Sequence, residues 1–410
     1  MTIFVAIASY RDADLANTIA DCVARARWPE KLHFGICWQY ARGDPPPPEV
    51  DKATLRQIDV PWKQSKGACW ARDQALSLYQ GEDFLFQIDS HHRFVKHWDA
   101  LLISQIEACQ EAKPLLTAYA QAFDPAEILP AAGLPTMMLL NEFTEQGIPT
   151  FAQAARPEWR GGPPQRARFL SGHFIFTLGQ FVHEVPYDPD LYFIGEEISL
   201  AVRAFTHGYS LLHPSEHVMW HEYSRKQRVM HWDDHQSSAY DSASLNKVRQ
   251  ILTGDIAGRY GLGMARSLAE YEKYAGIDFA AGRASGGACK GTEPPQAPPP
   301  GEDVGPVRQW NVCVKVDRSK LPPAALDRPA FWYVGFFDAA GVEVARADSE
   351  REELQALNLA SADLIRLERK FYSARVPVRW EIVPTDRNRN WLSGVSGGVE
   401  NPPLTKKVPA

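Results

Sequence analysis

Six cysteines are spread over 410 residues with no Cys-x-x-Cys pair among them. The sequence therefore offers neither a zinc knuckle nor a disulfide framework, and Cys22, Cys37, Cys69, Cys109, Cys289 and Cys313 read as reduced thiols that pack as small apolar groups. Basic residues are not in excess: 44 Lys+Arg stand against 50 Asp+Glu, a net charge of -6, which speaks against a nucleic-acid partner. No run approaches the roughly 18 uncharged apolar residues needed to cross a bilayer, and no Lys/Arg-led apolar segment opens the chain. The expectation is a soluble, cytoplasmic protein with no membrane partner. Histidine is missing after His235: all twelve lie between His33 and His235, so any imidazole chemistry belongs to the first two thirds. What remains is an ordinary globular balance, 45% hydrophobic and 23% charged, at a length that predicts two or three domains.

Residues 281–305 are so rich in Gly and Pro that they sustain neither helix nor sheet and read as a linker between residues 1–280 and residues 306–410. Beyond it, Trp310, Val312, Val314 and Val316 alternate with polar residues, residues 331–345 read as a hairpin, and Val376, Val378, Trp380 and Ile382 alternate again. This is a β-rich, sandwich-like accessory module with no histidine, a candidate for self-association. Residues 1–280 alternate differently. Apolar strands at 3–8, 32–38, 57–60 and 84–88 are separated by helical spacing at Leu15, Ile19, Cys22 and Val23, and again across residues 67–79. That order predicts an α/β fold with a mostly parallel sheet, whose ligands bind outside the carboxyl ends of the strands. Two polar clusters, Ser9 to Asp12 and Asp89 to Arg93, sit at such ends.

Asp89 and His91 are two positions apart where a buried strand leaves the sheet. In extended backbone both side chains reach one cation while Ser90 faces elsewhere. A carboxylate with an imidazole suits Mn²⁺ better than Mg²⁺. A second cluster holds His213, His217 and His221. It lacks the acid of a His-Glu-x-x-His protease, which leaves one or more imidazoles to complete the cation's shell. Arg225, Lys226 and Arg228 follow, and cations there suit a departing diphosphate. Glu196 and Glu197 open a helix; beyond the helix dipole they favour, one carboxylate can accept from sugar hydroxyls. Gly172 interrupts a strand spanning residues 168–176, as where a ligand approaches the backbone, and His173 beside it reads equally as core or contact. Gly67 opens a helix whose free N-H groups can meet phosphate or ribose. Neither a P-loop nor a dinucleotide-binding Gly-x-Gly-x-x-Gly is present. Residues 147–162 read as a polar loop able to close over a donor.

Taken in order, Ala8 to Asp12, Lys66 to Arg72, Gln87 to His91 and Phe193 to Glu197 resemble the GT-A nucleotide-sugar glycosyltransferases. The nearest likeness is to the GlcNAc-transferases of glycosyltransferase family 60, which modify a hydroxyproline of a cytosolic protein, and more distantly to the polypeptide GalNAc-transferases. The resemblance covers about residues 1–240. It implies a Rossmann-like mixed sheet, a UDP-GlcNAc donor, Mn²⁺ or Mg²⁺, a hydroxyl acceptor on a protein or glycan, and retention at the anomeric carbon. It further implies that Asp89, His91 and His221 ligate the metal, and that Ser9, Tyr10 and Arg11 line the uridine pocket. Arg72, Ser90 and Arg225 would lie near ribose or diphosphate, Gly172 would admit the donor sugar, and Glu196 or Glu197 would act beside donor and acceptor. Two other readings compete: a metal-dependent phosphoesterase, and a carbohydrate-binding protein without activity.

Overall fold

A computed structural model describes residues 1–109, 111–127, 129, 133–224, 228–236, 238–256, 258–291, 308–339, 341, 343–357, 363–373, 376–388 and 390–400. The chain forms two compact units, Met1–Pro298 and Pro299–Ala410.

The first unit is built on the strands β1 (Ile3–Tyr10), β2 (Leu32–Tyr40), β3 (Thr54–Pro61), β4 (Phe84–Ile88), β5 (His92–Phe94), β6 (Pro114–Leu116) and β7 (Gln121–Ala122). These are followed by β8 (Thr136–Phe143), β9 (Pro149–Ala155), β10 (Gln165–Arg166), β11 (Phe174–Leu178), β12 (Ser210–His213) and β13 (Met219–His221). Eight of them form one mixed sheet in the order β10-β12-β6-β11-β4-β1-β2-β3. β3, β2, β1 and β4 run parallel, and β11 returns antiparallel against both β4 and β6. All five residues of β4 are buried, because a central strand covered on both faces carries no polar alternation.

Period-2 packing sorts the sheet into two cores. Phe4, Ala6, Leu85, Leu115 and Ile175 face one side with Cys69, Leu76 and Ile198; Ile3, Val5, Ile7, Phe86 and Ile88 face the other with Leu15, Ile19, Trp98 and Leu102. The helices supplying these residues are α1 (Leu15–Arg25), α2 (Ala68–Leu76) and α3 (Trp98–Glu107), then the single turn α4 (Phe181–Glu184) and α5 (Glu196–Thr206). α6 (His231–Asp234) and α7 (Ser238–Thr253) follow β13. Among the described residues, no helix is long and apolar enough to cross a membrane.

Three expectations change. Residues 147–162 are not an open loop: β9 pairs antiparallel with β8 along its length, and Pro157–Trp159 is a 3-10 turn. The strand around Gly172 starts at Phe174, after a tight bridge between Ser171 and Phe174. The segment read as a linker begins with structure, since Arg283–Ala284 pairs with Ile277–Asp278 just before it and Gly286–Lys290 is a capped helix, while residues 292–305 lie outside the described residues. Ser285 caps that helix by accepting from the Ala288 N-H.

In the second unit, Arg308–Asp317 pairs with Leu364–Ser373, and Glu343–Arg346, Phe331–Phe337, Arg379–Pro384 and Val395–Gly398 form a second sheet joined by Ser349–Glu350. Trp310, Val312 and Val314 from one sheet pack with Trp332, Val334, Phe336 and Ile382 from the other, as in a sandwich. Val376 and Val378 lie before the strand and are exposed.

Candidate active site and metal centre

β4 delivers Asp89 at the carboxyl end of the sheet. The chain then bends at Ser90 and His91 and returns as β5, which pairs antiparallel with β13 so that His92 stands opposite His221. This pairing brings His221 to Asp89 across more than a hundred residues of sequence. His221 Nε2 lies 3.4 Å and His91 Nε2 3.8 Å from Asp89 Oδ2, and one ligand atom from each of the three residues lies within 4.8 Å of the others.

Each donor is prepared by its neighbours. Asp12, 6% exposed, sits with Oδ2 2.7 Å from His91 Nδ1 and accepts the Ser90 hydroxyl at 2.7 Å and the Asp14 N-H at 2.9 Å. A carboxylate on Nδ1 fixes the proton there and leaves the Nε2 lone pair as the acceptor, which here meets the Arg228 guanidinium and would exchange it for a bound cation. Burial holds His221 well below the usual imidazole range, so its ring is neutral. Burial alone would push Asp89 up, but the Arg72 guanidinium and the two imidazoles outweigh it and keep the carboxyl well below its ordinary value. A carboxylate and two imidazoles form a donor set that fits a divalent cation of intermediate hardness. Nδ1 of buried His221 has no hydrogen-bond partner, and Nε2 has only the Asp89 carboxylate at 3.4 Å, a pairing that a cation coordinated between the two would take over.

Behind Asp89 lies a ring of buried polar groups. Arg72 donates to Asp89 Oδ1 at 2.8 Å and to the Gly172 carbonyl, and its Nε is 3.1 Å from Glu196 Oε1. Glu196 is 5% exposed and accepts the Tyr187 hydroxyl at 2.8 Å. Gln87 bonds both the Gly172 carbonyl at 2.7 Å and Tyr187 at 2.6 Å. Glu197, half-buried, takes the Gly172 N-H at 2.9 Å and the Tyr119 hydroxyl. Burial pushes its carboxyl up to about 7 against these two donors.

The other expected residues divide. His213 is committed to the Thr117 carbonyl at 2.7 Å and stacks on Trp159, and His217 packs on Trp220; neither joins the cluster. His173 is buried with its ring 4.3 Å from that of His221. Ser9 is fully buried and Ser90 turns inward to Asp12. Tyr10 and Arg11 are tied to Asp234 of α6 at 2.8 and 2.7 Å, and the Tyr10 ring lies 5.0 Å from that of His231. Gly67 has φ 114, and a Cβ there would lie 2.6 Å from the Tyr192 ring. A Cβ at Gly172 would lie 3.0 Å from Glu196 Oε1, a contact that a small movement of the carboxylate relieves, so the protein's own packing requires glycine at 67 and only favours it at 172. Arg225 and Lys226 lie outside the described residues; Arg228 lies against His91, its Nη1 2.6 Å from Nδ1 and also against Nε2, with Nε 3.0 Å from Glu222 Oε2.

Sequence reasoning missed Asp12 as the partner of His91, and with it Gln87, His92, Tyr119, Tyr187 and Asp234. Asp12 stood in a polar cluster already noted at a strand end. His92 and Gln87 also stood in segments already singled out, whereas Tyr119, Tyr187 and Asp234 carried no local signal, since each acts through a partner elsewhere in the sequence.

A family model described as Glycosyltransferase (GlcNAc) matches residues 2–54 and 48–281, which include every residue of this site. Among solved structures, the chain is similar to GalNAc-T7 with UDP, GalNAc and Mn²⁺ at 15% identity and a TM-score of 0.45, over 61% of this chain and 48% of that one. It is also similar to S. aureus TarS 1-349 in complex with UDP-GlcNAc at 14% identity and a TM-score of 0.38, over 67% and 70% of the two chains. The match thus spans about half the length of GalNAc-T7. No curated protein matches the chain in sequence.

Proposed function

The chain belongs to the GlcNAc glycosyltransferase family, and we propose on that premise that it moves GlcNAc from UDP-GlcNAc to a hydroxyl of a protein or glycan, with a divalent cation held by Asp89, His91 and His221. The enzyme is a sugar transferase on a mixed α/β sheet of the GT-A kind. The observation that carries the proposal is the convergence of the three ligand atoms at the carboxyl end of β4, one imidazole already oriented by Asp12 and the other turned with Nε2 toward Asp89.

A divalent cation held by Asp89, His91 and His221 would supply positive charge to offset the charge that grows on the diphosphate as UDP departs. The chain's own residues do the rest. Asp12 keeps the His91 proton on Nδ1, and Arg72 fixes Asp89 and Glu196 in one frame. Arg228 adds positive charge beside His91. Glu197 is the carboxylate we assign to the sugar or the acceptor, since it is the less buried of the pair; Glu196 positions Arg72. Among the described residues, no second group of three metal-ligating side chains stands nearby, which favours this reading over a two-metal phosphoesterase. Retention at the anomeric carbon belongs to the proposal and is read by NMR of the first-formed product. Self-association through residues 306–410 also belongs to it and is read by sedimentation.

The test is mass-detected turnover of UDP-GlcNAc with Mn²⁺ over a panel of hydroxyl acceptors, alongside calorimetry with UDP. Asp89→Asn combined with His91→Ala is expected to lose turnover and Mn²⁺-dependent UDP binding together. Full turnover in that variant refutes the metal assignment. Hydrolysis of phosphoesters without a sugar acceptor supports the phosphoesterase instead, and metal-independent sugar binding without turnover supports the inactive binder.

A further inference from the structure

A histidine ligand needs a partner on the nitrogen that does not meet the metal, because that partner fixes the tautomer and the ring plane. Asp12 does this for His91. Resting on the metal reading above, the same demand falls on His221: with Nε2 beside Asp89, its Nδ1 must carry a proton, and that nitrogen is buried and unpartnered.

Four rings pack on His221, those of His91, His92, His173 and Tyr223. His91 Nδ1 is engaged by Asp12. His173 Nε2 already accepts the Ala120 N-H at 3.1 Å, and the Tyr223 hydroxyl donates to the Ala120 carbonyl at 2.8 Å. His92 is different. Its Nδ1 lies 2.9 Å from the Trp220 carbonyl. A carbonyl accepts, so the proton sits on Nδ1 and Nε2 is left as a bare acceptor. That Nε2 is buried without a partner in a residue 0% exposed, and the ring centroid is 4.8 Å from that of His221. A proton without an acceptor and an acceptor without a proton stand on adjoining rings, across the β5–β13 pairing that sets His92 opposite His221.

We propose that His92 is the positioning residue of His221: Nε2 of His92 accepts from Nδ1-H of His221, directly after a small turn of the ring or through one buried water, and the chain of donors ends on the Trp220 carbonyl. Both histidine ligands then have a buried acceptor behind them, an aspartate for one and a neutral imidazole for the other.

The test is Mn²⁺ titration of the full-length protein, without nucleotide, by the loss of the free-ion EPR signal. Loss of an outer partner weakens metal binding by roughly 10- to 100-fold, so His92→Leu is expected to bind Mn²⁺ that much more weakly. His92→Gln, whose side-chain oxygen can replace the acceptor, is expected to recover most of the affinity. Leu and Gln variants equal to each other, or His92→Leu within twofold of the unsubstituted protein, overturn the proposal. If His92→Leu does not fold, the histidine ¹⁵N spectrum of the Mg²⁺-loaded protein decides: the Nε2 resonance of His92 must move when His221→Ala removes the donor, and no movement overturns the proposal. Asp89→Asn separates the two ideas. If Asp89→Asn keeps full Mn²⁺ affinity, the metal site itself is wrong; if it loses affinity while His92→Leu does not, the error lies with His92 alone.

Discussion

Replacing Arg72 by leucine is expected to cost the enzyme stability before it costs it nucleotide affinity. The side chain is 9% exposed and lies between two carboxylates, 2.8 Å from Asp89 Oδ1 and 3.1 Å from Glu196 Oε1. Without the guanidinium, Glu196 keeps the Tyr187 hydroxyl as its donor and is otherwise an uncompensated buried charge. Removing one partner of a buried pair costs about 3–5 kcal/mol, where an exposed pair is worth about 0–1. Urea unfolding followed by tryptophan fluorescence reads this as a fall in midpoint at constant slope. Replacing Arg72 and Glu196 together by methionine is expected to recover the part of the loss that comes from Glu196, because that carboxylate is no longer left buried and unpaired, while the part from Asp89, which loses its guanidinium in both variants, remains. An Arg72→Leu protein within about 1 kcal/mol of the unsubstituted one refutes the reasoning. In that case, a raised KM for the donor would return Arg72 to the role of a diphosphate contact.

Asp12→Asn keeps the size of the side chain but removes the charge from His91 Nδ1; Mn²⁺ affinity should fall roughly 10- to 100-fold by EPR titration, and an unchanged affinity contradicts the orienting role. Glu197 titrates at about 7 against about 4.3 in the unfolded chain. Its contribution to stability is complete below the unfolded value and is lost as pH rises through the folded one, so unfolding free energy measured from pH 4 to 8 should decline more in the parent than in Glu197→Gln. Parallel curves would remove Glu197 from the account. Gly67→Ala should lower stability by about 1–3 kcal/mol, since φ 114 and the Tyr192 ring both oppose a Cβ; a thermal melt unchanged by the substitution contradicts that.

Much of the frame was legible because it is local. The uncharged run at residues 84–88 coincides with β4, and the helix expected to open at Glu196 and Glu197 is α5, which buries Ile198, Val202 and Phe205 at helical spacing, since an all-buried strand and an amphipathic helix write their packing into successive residues. The apolar alternation of Trp310 to Val316 likewise matches a strand with one buried face. Glycine was less informative. Gly67 and Gly172 suggested a ligand coming close to the backbone, yet the atoms that crowd them belong to Tyr192 and Glu196. A glycine reports that something is near, and the sequence does not say whether that is substrate or protein.

The assembly of the site follows a different rule. The argument from extended backbone separated Ser90 from His91, but the chain bends there, and Ser90 Oγ and His91 Nδ1 both reach Asp12 Oδ2 at 2.7 Å. His213, His217 and His221 are equivalent as letters. What distinguishes them is that β13 ends at His221 and pairs with the strand that follows Asp89, whereas His213 ends β12 and meets the Thr117 carbonyl. Periodicity locates where a chain leaves the sheet. Which side chain it meets there is decided by long-range register, and a slip of one residue in the β5–β13 pairing would turn His221 to the opposite face. The metal reading and the role assigned to His92 therefore depend on the same register, and a disulfide scan across that pair tests both at once.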